Sequence, residues 1–241
     1  MPRCFVAALA VVCLLIPGVA SGDDPSIEAP ISPRVELKAS IAPRALAKSK
    51  PTPISLRAST SVSAENGSHP PALKEFELEV DRHARLNLGG IPACHSGGRE
   101  TVRKACREAL VGKGVIDIGI QFPETTTPDQ HEEVFIYNGE TEKGARKLFL
   151  WSEISIPRPT AIVIPVTIKA DRGRFGLKAV GSVPKIAGGS GWIDRLELRF
   201  HRGIFSATYP RDGTFDLRES TVFVDGTRLV SSVSLPTTSL R

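Results

Sequence analysis

The sequence predicts an all-β protein: a single antiparallel β-sandwich, jelly-roll or immunoglobulin-like, with one short disulfide-linked helix. Three observations predict it. Apolar and polar residues alternate through short segments from residue 34 onward, the period of half-buried strands. Clusters of Gly, Pro, Asp and Asn separate those segments at the spacing of turns. Only residues 89–114 carry a convincing helical period, and they also hold Cys94 and Cys106. Uneven strand lengths and proline-rich loops favour a sandwich over a barrel. The expected organisation is a signal peptide at 1–22, a flexible tail at 23–33 and the sandwich at 34–241.

Val35, Leu37 and Ala39 alternate with polar neighbours and open the first strand. Ile54, Leu56, Ala58 and Val62 mark a second, after a loop punctuated by prolines. Residues 65–71, ENGSHPP, are a turn-rich break. Phe76, Leu78 and Val80 then alternate with Glu75, Glu77 and Glu79 in a half-buried strand ending near Asp81. Beyond the helix, residues 115–120 read as a strand and 123–130 as a loop. Segments 134–137 and 147–156 flank Asn138-Gly139, with a connection longer than a two-residue hairpin. Residues 161–168 are almost wholly apolar or β-branched, which predicts a central strand buried on both faces. Pro165 within it demands a bulge or an edge position. Strands at 175–180, 192–201, 204–209, 214–217, 220–224 and 229–235 complete the pattern. Residues 186–191, IAGGSG, are expected to be a flexible loop. Asp212-Gly213-Thr214 and Asp225-Gly226-Thr227 are expected turns, 13 residues apart, which is strand spacing and not a repeat.

The helix is argued from its stripe. Val102, Ala105, Cys106, Ala109 and Leu110 fall on one face, with Arg99, Arg103, Lys104 and Arg107 opposite. Glu100 suits the first turn and Gly112 the residue past the end. Gly97 and Gly98 let the chain turn inward, and Pro92 stiffens the approach. Cys106 lies on the buried stripe, so a Cys94–Cys106 disulfide would pin the preceding loop beneath the helix. Two free buried thiols are the alternative, and export favours the bond.

Export is expected from residues 1–22. Arg3 supplies the positive end, residues 5–16 are an almost unbroken apolar run, and PGVASG breaks the run with small residues. The run is short for a membrane span, although an uncleaved anchor is an alternative reading. Cys13 is followed by Leu14, which does not suit a lipoprotein start, so Cys4 and Cys13 belong to the leader. The remaining 219 residues suffice for one large β domain with a real core. Loss of Arg3 lowers the net charge from +5 to +4, a mild and dispersed excess. No nucleic-acid partner is expected from it, whereas anionic components of a cell wall or membrane surface are candidate partners.

Several segments carry a resemblance. Residues 66–73 (NGSHPPAL), 90–94 (GIPAC), 106–114 (CREALVGKG), 186–191 (IAGGSG) and 223–227 (FVDGT) resemble a set of uncharacterised secreted β-rich proteins from actinobacteria. The likeness covers about residues 35–235 and implies export and one β-rich domain. It implies no activity. Similar proteins tend to carry a second cysteine pair, and here Tyr209 and the Pro236-Thr237-Thr238 region occupy those places. The resemblance therefore implies a missing second staple and a less firmly held last strand.

No catalytic, cofactor-binding or metal-ligating set is legible. His69, His83, His95, His131 and His201 form no metal-ligand spacing, and the cysteines lack zinc-finger spacing. His95 beside Ser96 is the nearest thing to a nucleophile and base, but adjacency supplies neither position nor an orienting acid. Residues 188–191 do not match the nucleophile-elbow pattern. Glu75, Glu77 and Glu79 share one strand face, and paired carboxylates are what glycoside hydrolysis uses. The simpler reading is a solvated face. Trp151, Trp192, Tyr137 and Tyr209 are few for a sugar-stacking platform. Asn66-Gly67-Ser68 reads as a turn and not a glycosylation site. The leading expectation is a secreted or cell-envelope protein with a non-catalytic binding or structural role. A hydrolase of envelope polymers and a lipid carrier with an internal cavity are the alternatives. A deep apolar cavity would favour the carrier, and converging carboxylates or a Ser–His pair the enzyme.

Overall fold

Strands account for most of the chain in a computed structural model, which describes residues 32–95, 102–122, 125–126, 129–155 and 158–240. The expected signal peptide, nearly all of the tail, Ser96 and the Gly97–Gly98 turn lie outside the described residues. The chain opens with β1 (Pro33–Ala42), β2 (Ala45–Leu46), β3 (Thr52–Ala64), β4 (Leu73–Asp81) and β5 (Ala84–Leu86). After α1 (Val102–Ala105) come β6 (Leu110–Phe122), β7 (Thr125–Thr126), β8 (Gln130–Asn138), β9 (Arg146–Ile154), β10 (Thr160–Ala170) and β11 (Phe175–Ser182). The last strands are β12 (Gly191–Phe200), β13 (Phe205–Ala207), β14 (Thr214–Phe223), β15 (Arg228–Pro236) and β16 (Thr238–Ser239).

Fourteen described strands form one antiparallel sheet, in the order β15-β14-β4-β11-β10-β9-β8-β6-β12-β3-β13-β5, with β1 on β3 and β7 on β6. Leu235 of β15, Leu56 of β3 and Ile136 of β8 come from distant places along that path yet share one buried cluster. The sheet is therefore doubled over with its inner faces together, a sandwich-like all-β fold. The β15 end meets β1, where the Leu37 N–H donates to Ser231 Oγ at 3.1 Å.

Alternation builds most of these strands. On β14, Phe215, Leu217, Thr221 and Phe223 point inward. Segments 214–217 and 220–224 form this one strand because Arg218 and Glu219, which look like a polar break, keep the alternation. Arg218 Nε donates outward to Glu79 at 2.5 Å, and Glu219 accepts inward from the Thr60 hydroxyl at 2.6 Å. Both Asp-Gly-Thr turns form as expected. Gly213 and Gly226 take left-handed φ values of 76° and 90°, and Asp212 and Asp225 accept from the N–H of Thr214 and Thr227.

The helix differs from expectation. Among the described residues only Val102–Ala105 is α-helical, a 3-10 turn follows at Arg107–Ala109, and Leu110 already begins β6; Arg99 and Glu100 lie outside the described residues. A single turn is too short to sustain a helix alone, and pairing on both sides claims the residues after it. Gly112 is not a helix-stop residue but lies within β6, as does Gly114. A Cβ at Gly112 would lie 2.5 Å from the Arg199 carbonyl oxygen, and one at Gly114 would lie 1.8 Å from that of Glu197. Their glycines let β12 approach.

Cys94 and Cys106 form the disulfide, with Cα atoms 5.2 Å apart. The disulfide, Val102 and Ala109 cover the outer face of β8 and β9, packing with Phe135, Tyr137 and Trp151. Asn138 ties the approaching loop down, donating from Nδ2 to the carbonyls of Ile91 and Pro92 at 2.9 and 3.1 Å. The turn between β8 and β9 sits instead at Lys143-Gly144, with φ values of 47° and 76°.

Burial on both faces therefore belongs to β8 and β9. On β10, Ile162, Ile164, Val166 and Ile168 are buried while Pro165 is exposed on the other face. Pro165 pairs with Phe149 without a bulge, and the ladder to β11 begins only at Val166. The residues after β15 are paired as well. Thr238–Ser239 pairs in parallel with Ala45–Leu46, and the Thr237 N–H and hydroxyl both donate to the Gly213 carbonyl.

Candidate functional site

One end of the doubled sheet carries a cavity of about 540 Å³, enclosed by segments far apart in sequence: 72–74 at the start of β4, 183–186 after β11, the first residues of β12, and Val224. The connection from β11 to β12 shapes it. Ala187, Gly188 and Gly189 take successive positive φ values of 47°, 73° and 116°, a conformation that strains a non-glycine residue. The expected flexible loop is a formed wall. Gly191 is also required, because a Cβ there would meet Ile186 Cγ2 at 2.5 Å.

Trp192 stands beside the cavity on a prepared seat. Gly119 of β6 pairs with it, and a Cβ at Gly119 would come within 2.2 Å of the indole. His69 stacks with the indole, ring centroids 4.4 Å apart. The indole Nε1–H donates to both carboxylate oxygens of Asp194, each at 3.1 Å. A smaller chamber of about 330 Å³, bordered by His69, Pro70 and Phe122, shares Trp192 and Ala72 with the larger one.

Apolar side chains dominate the larger chamber: Leu73, Val183, Ile186, Ile193 and the edge of Trp192. Val224, 59% exposed, extends this surface to the mouth. Lys74 and Lys185 are the ionisable residues on the wall, and neither has an ion pair among the described residues. Beneath the indole, burial first, then the nearby Asp129, push the Asp194 carboxyl up to about 6, against the hydrogen bond from Trp192. Asp117, a smaller influence on Asp194, is itself paired with His131 Nδ1 at 2.5 Å. This arrangement can enclose an apolar group and meet an anionic one at its rim.

Of the residues singled out in the sequence, His69, Trp192 and the 186–191 segment meet here, and the others do not. His95 is exposed and paired with Glu140, remote in sequence, and Ser96 lies outside the described residues. Trp151 and Tyr137 are buried under the disulfide. Asn66-Gly67-Ser68 is a turn, with the Ser68 N–H donating to Asn66 Oδ1. His83 pairs with Asp81 at 2.7 Å. Among the described residues, no group of three or more His, Cys, Asp or Glu could hold a metal ion.

The solvated-face reading of the β4 acids needs correction. Glu79 is 5% exposed, bonded to Arg218 and 3.9 Å from Lys178, while Glu77 pairs with Lys178 at 2.7 Å. Glu197, 1% exposed, receives hydrogen bonds from Arg57, Arg195 and Arg199 at 2.6, 2.8 and 2.6 Å. Burial opposes its charge, but the three guanidiniums hold its carboxyl down at about 2. These acids organise the outer sheet face. Alternation cannot reveal a carboxylate roofed by arginines from neighbouring strands.

No protein-family model matches the chain, and no curated protein is detectably similar to it. Fold and site define an antiparallel, sandwich-like β protein, disulfide-stapled, with an apolar cavity at one end. No helix among the described residues is long and apolar enough to cross a membrane.

Proposed function

We propose that this chain is an extracytoplasmic binding protein, without a catalytic role, whose end cavity takes the apolar part of a single-chain anionic amphiphile. One observation carries the reading: an apolar cavity beside Trp192 with Lys74 and Lys185, unpaired among the described residues, on its wall. Its volume of about 540 Å³ lies within the range of about 300–1,000 Å³ typical of small-molecule sites. Lysine heads at an apolar mouth suit a carboxylate or phosphate carried on a hydrocarbon chain. The disulfide and the leader-like residues 1–22 support a location outside the cytoplasm, in a secreted or cell-envelope protein. The resemblance to secreted actinobacterial proteins agrees with that location.

Calorimetric titration with dodecanoate tests the reading. Saturable binding is expected, weakened about tenfold or more by Trp192→Ala. Lys74→Glu and Lys185→Glu should weaken dodecanoate and leave the neutral analogue dodecanol unchanged. Absence of saturable binding, or binding indifferent to Trp192→Ala, would reject the cavity as the site. A screen against ester, peptide and glycan substrates tests the hydrolase alternative, and turnover there would displace the non-catalytic reading.

A further inference from the structure

At the opposite ends of β4 and β11 from Trp192 lies a second cavity, of about 590 Å³, with a different character. Five basic residues line it: Arg82 between β4 and β5, Arg85 on β5, Arg146 at the start of β9, Lys169 on β10 and Arg172 in the β10–β11 hairpin. Asp171 is the one acid on its wall. The fold gathers these residues through close approaches. A Cβ at Gly176 would lie 2.7 Å from Arg82 Cα, so glycine there lets the turn after β4 rest against β11. Lys169 faces another cation, Lys178, across the β10–β11 ladder, and Lys178 is drawn away to Glu77.

Pairing sets this cluster apart. Elsewhere on the outer faces, Arg57, Arg195 and Arg199 share Glu197, Arg218 holds Glu79 and Arg174 holds Asp216. Among the described residues, Arg82, Arg85, Lys169 and Arg172 have neither an ion pair nor a side-chain hydrogen bond, and Arg146 has only a 3.4 Å contact to the Thr141 hydroxyl. On the far side of Arg82, by contrast, Asp81, Asp212 and Asp216 balance Arg174 and Arg211. At this end of the sheet the positive excess lies on the β5, β9 and β10 side of Arg82. Five cations gathered around one carboxylate repel, and an oxyanion accepting from several guanidinium forks removes that repulsion while making charge-assisted hydrogen bonds.

We infer that this cavity binds a phosphate or sulfate group, carried on a polymer or free in solution. Arginine forks match the planar pairs of oxygens that such groups present, and a cluster of four arginines suits more than one negative charge. The site is separate from the Trp192 cavity, so either can fail without the other.

Titration at low ionic strength with orthophosphate, linear polyphosphate and dextran sulfate tests the inference. The double variant Arg85→Glu/Arg172→Glu alters two exposed residues without partners, and its thermal midpoint should match that of the parent. Lys48→Glu/Lys50→Glu makes the same change of charge on the loop between β2 and β3, outside the cavity wall. We expect saturable binding of at least one of the three probes, weakened about tenfold or more by the arginine pair and less than about twofold by the lysine pair. The bound anion should raise the thermal midpoint of the parent and not that of the arginine variant. Tighter binding of a polymer than of orthophosphate would identify the polymer as the source, and equal affinity the free ion. Binding of none of the probes, or equal losses in the two variants, would overturn the inference.

Discussion

Replacing Glu219 by glutamine should stabilise the protein above neutral pH and change little in acid. Glu219 points inward from β14, is 5% exposed, and among the described residues its carboxylate is bonded by the Thr60 hydroxyl alone. Burial pushes its carboxyl from 4.5 to about 7, and the bond from Thr60 opposes the change. Between those values the folded chain keeps a proton that the unfolded chain has released. Stability contributed by the protonated form is thus present in acid and is lost as pH rises through about 4.5 to 7. Each tenfold difference in proton affinity corresponds to about 1.4 kcal/mol, so the charged form costs the folded state about 3 kcal/mol above pH 7. Glutamine keeps the shape and can still bond Thr60, but carries no charge to bury. For a domain of this size, about 3 kcal/mol is a rise of roughly 6–12 °C in thermal midpoint. Asp194, also raised, falls in the same direction in both proteins and cancels in the comparison. Urea denaturation of the two proteins from acid to alkaline pH measures the effect. A difference that stays constant with pH, or one that favours the wild type as pH rises, would refute the reasoning.

Cys106→Ser opens a disulfide spanning 12 residues and should cost about 3 kcal/mol, read by urea denaturation without reductant. Unchanged stability would mean that the staple contributes nothing to the cover over Phe135 and Trp151. Gly119→Ala should displace the indole of Trp192, whose ring atoms lie 2.2 Å from the new methyl, and so weaken dodecanoate binding as Trp192→Ala does. Calorimetry indifferent to the methyl would place the ligand elsewhere. The mature N-terminus is expected between Ala20 and Asp24, and N-terminal sequencing of secreted protein that still begins at Met1 would contradict cleavage.

Much of the sheet was legible because alternation survives wherever one face is wet. β4, β12, β14 and β15 announce themselves through Phe76, Leu196, Phe215 and Leu235 with polar neighbours between. The disulfide was legible from two cysteines beyond the leader-like residues 1–22. Residues 102–110 misled because apolar positions spaced for a helix also suit a turn followed by a strand, and only the pairing of Leu110 with Tyr137 decides between them. The run at 161–168 misled because a one-dimensional pattern does not say where a stapled segment will lie. The cavity was not legible, since each of its segments contributes only a few residues and no period. Gly119, set between Ile118 and Ile120, was the one local sign that a large side chain crosses there.

Quenching by a nitroxide-labelled fatty acid tests the cavity most directly, because the chain has two tryptophans in different surroundings: Trp192 at the cavity and Trp151 under the disulfide. Doxyl-stearate titrated into Trp151→Phe should quench the remaining Trp192 saturably, with unlabelled dodecanoate restoring the emission. The same titration of Trp192→Phe should leave Trp151 emission nearly unchanged. Equal quenching of both single-tryptophan variants, or no quenching of Trp192, would contradict the proposal that the end cavity is the amphiphile site.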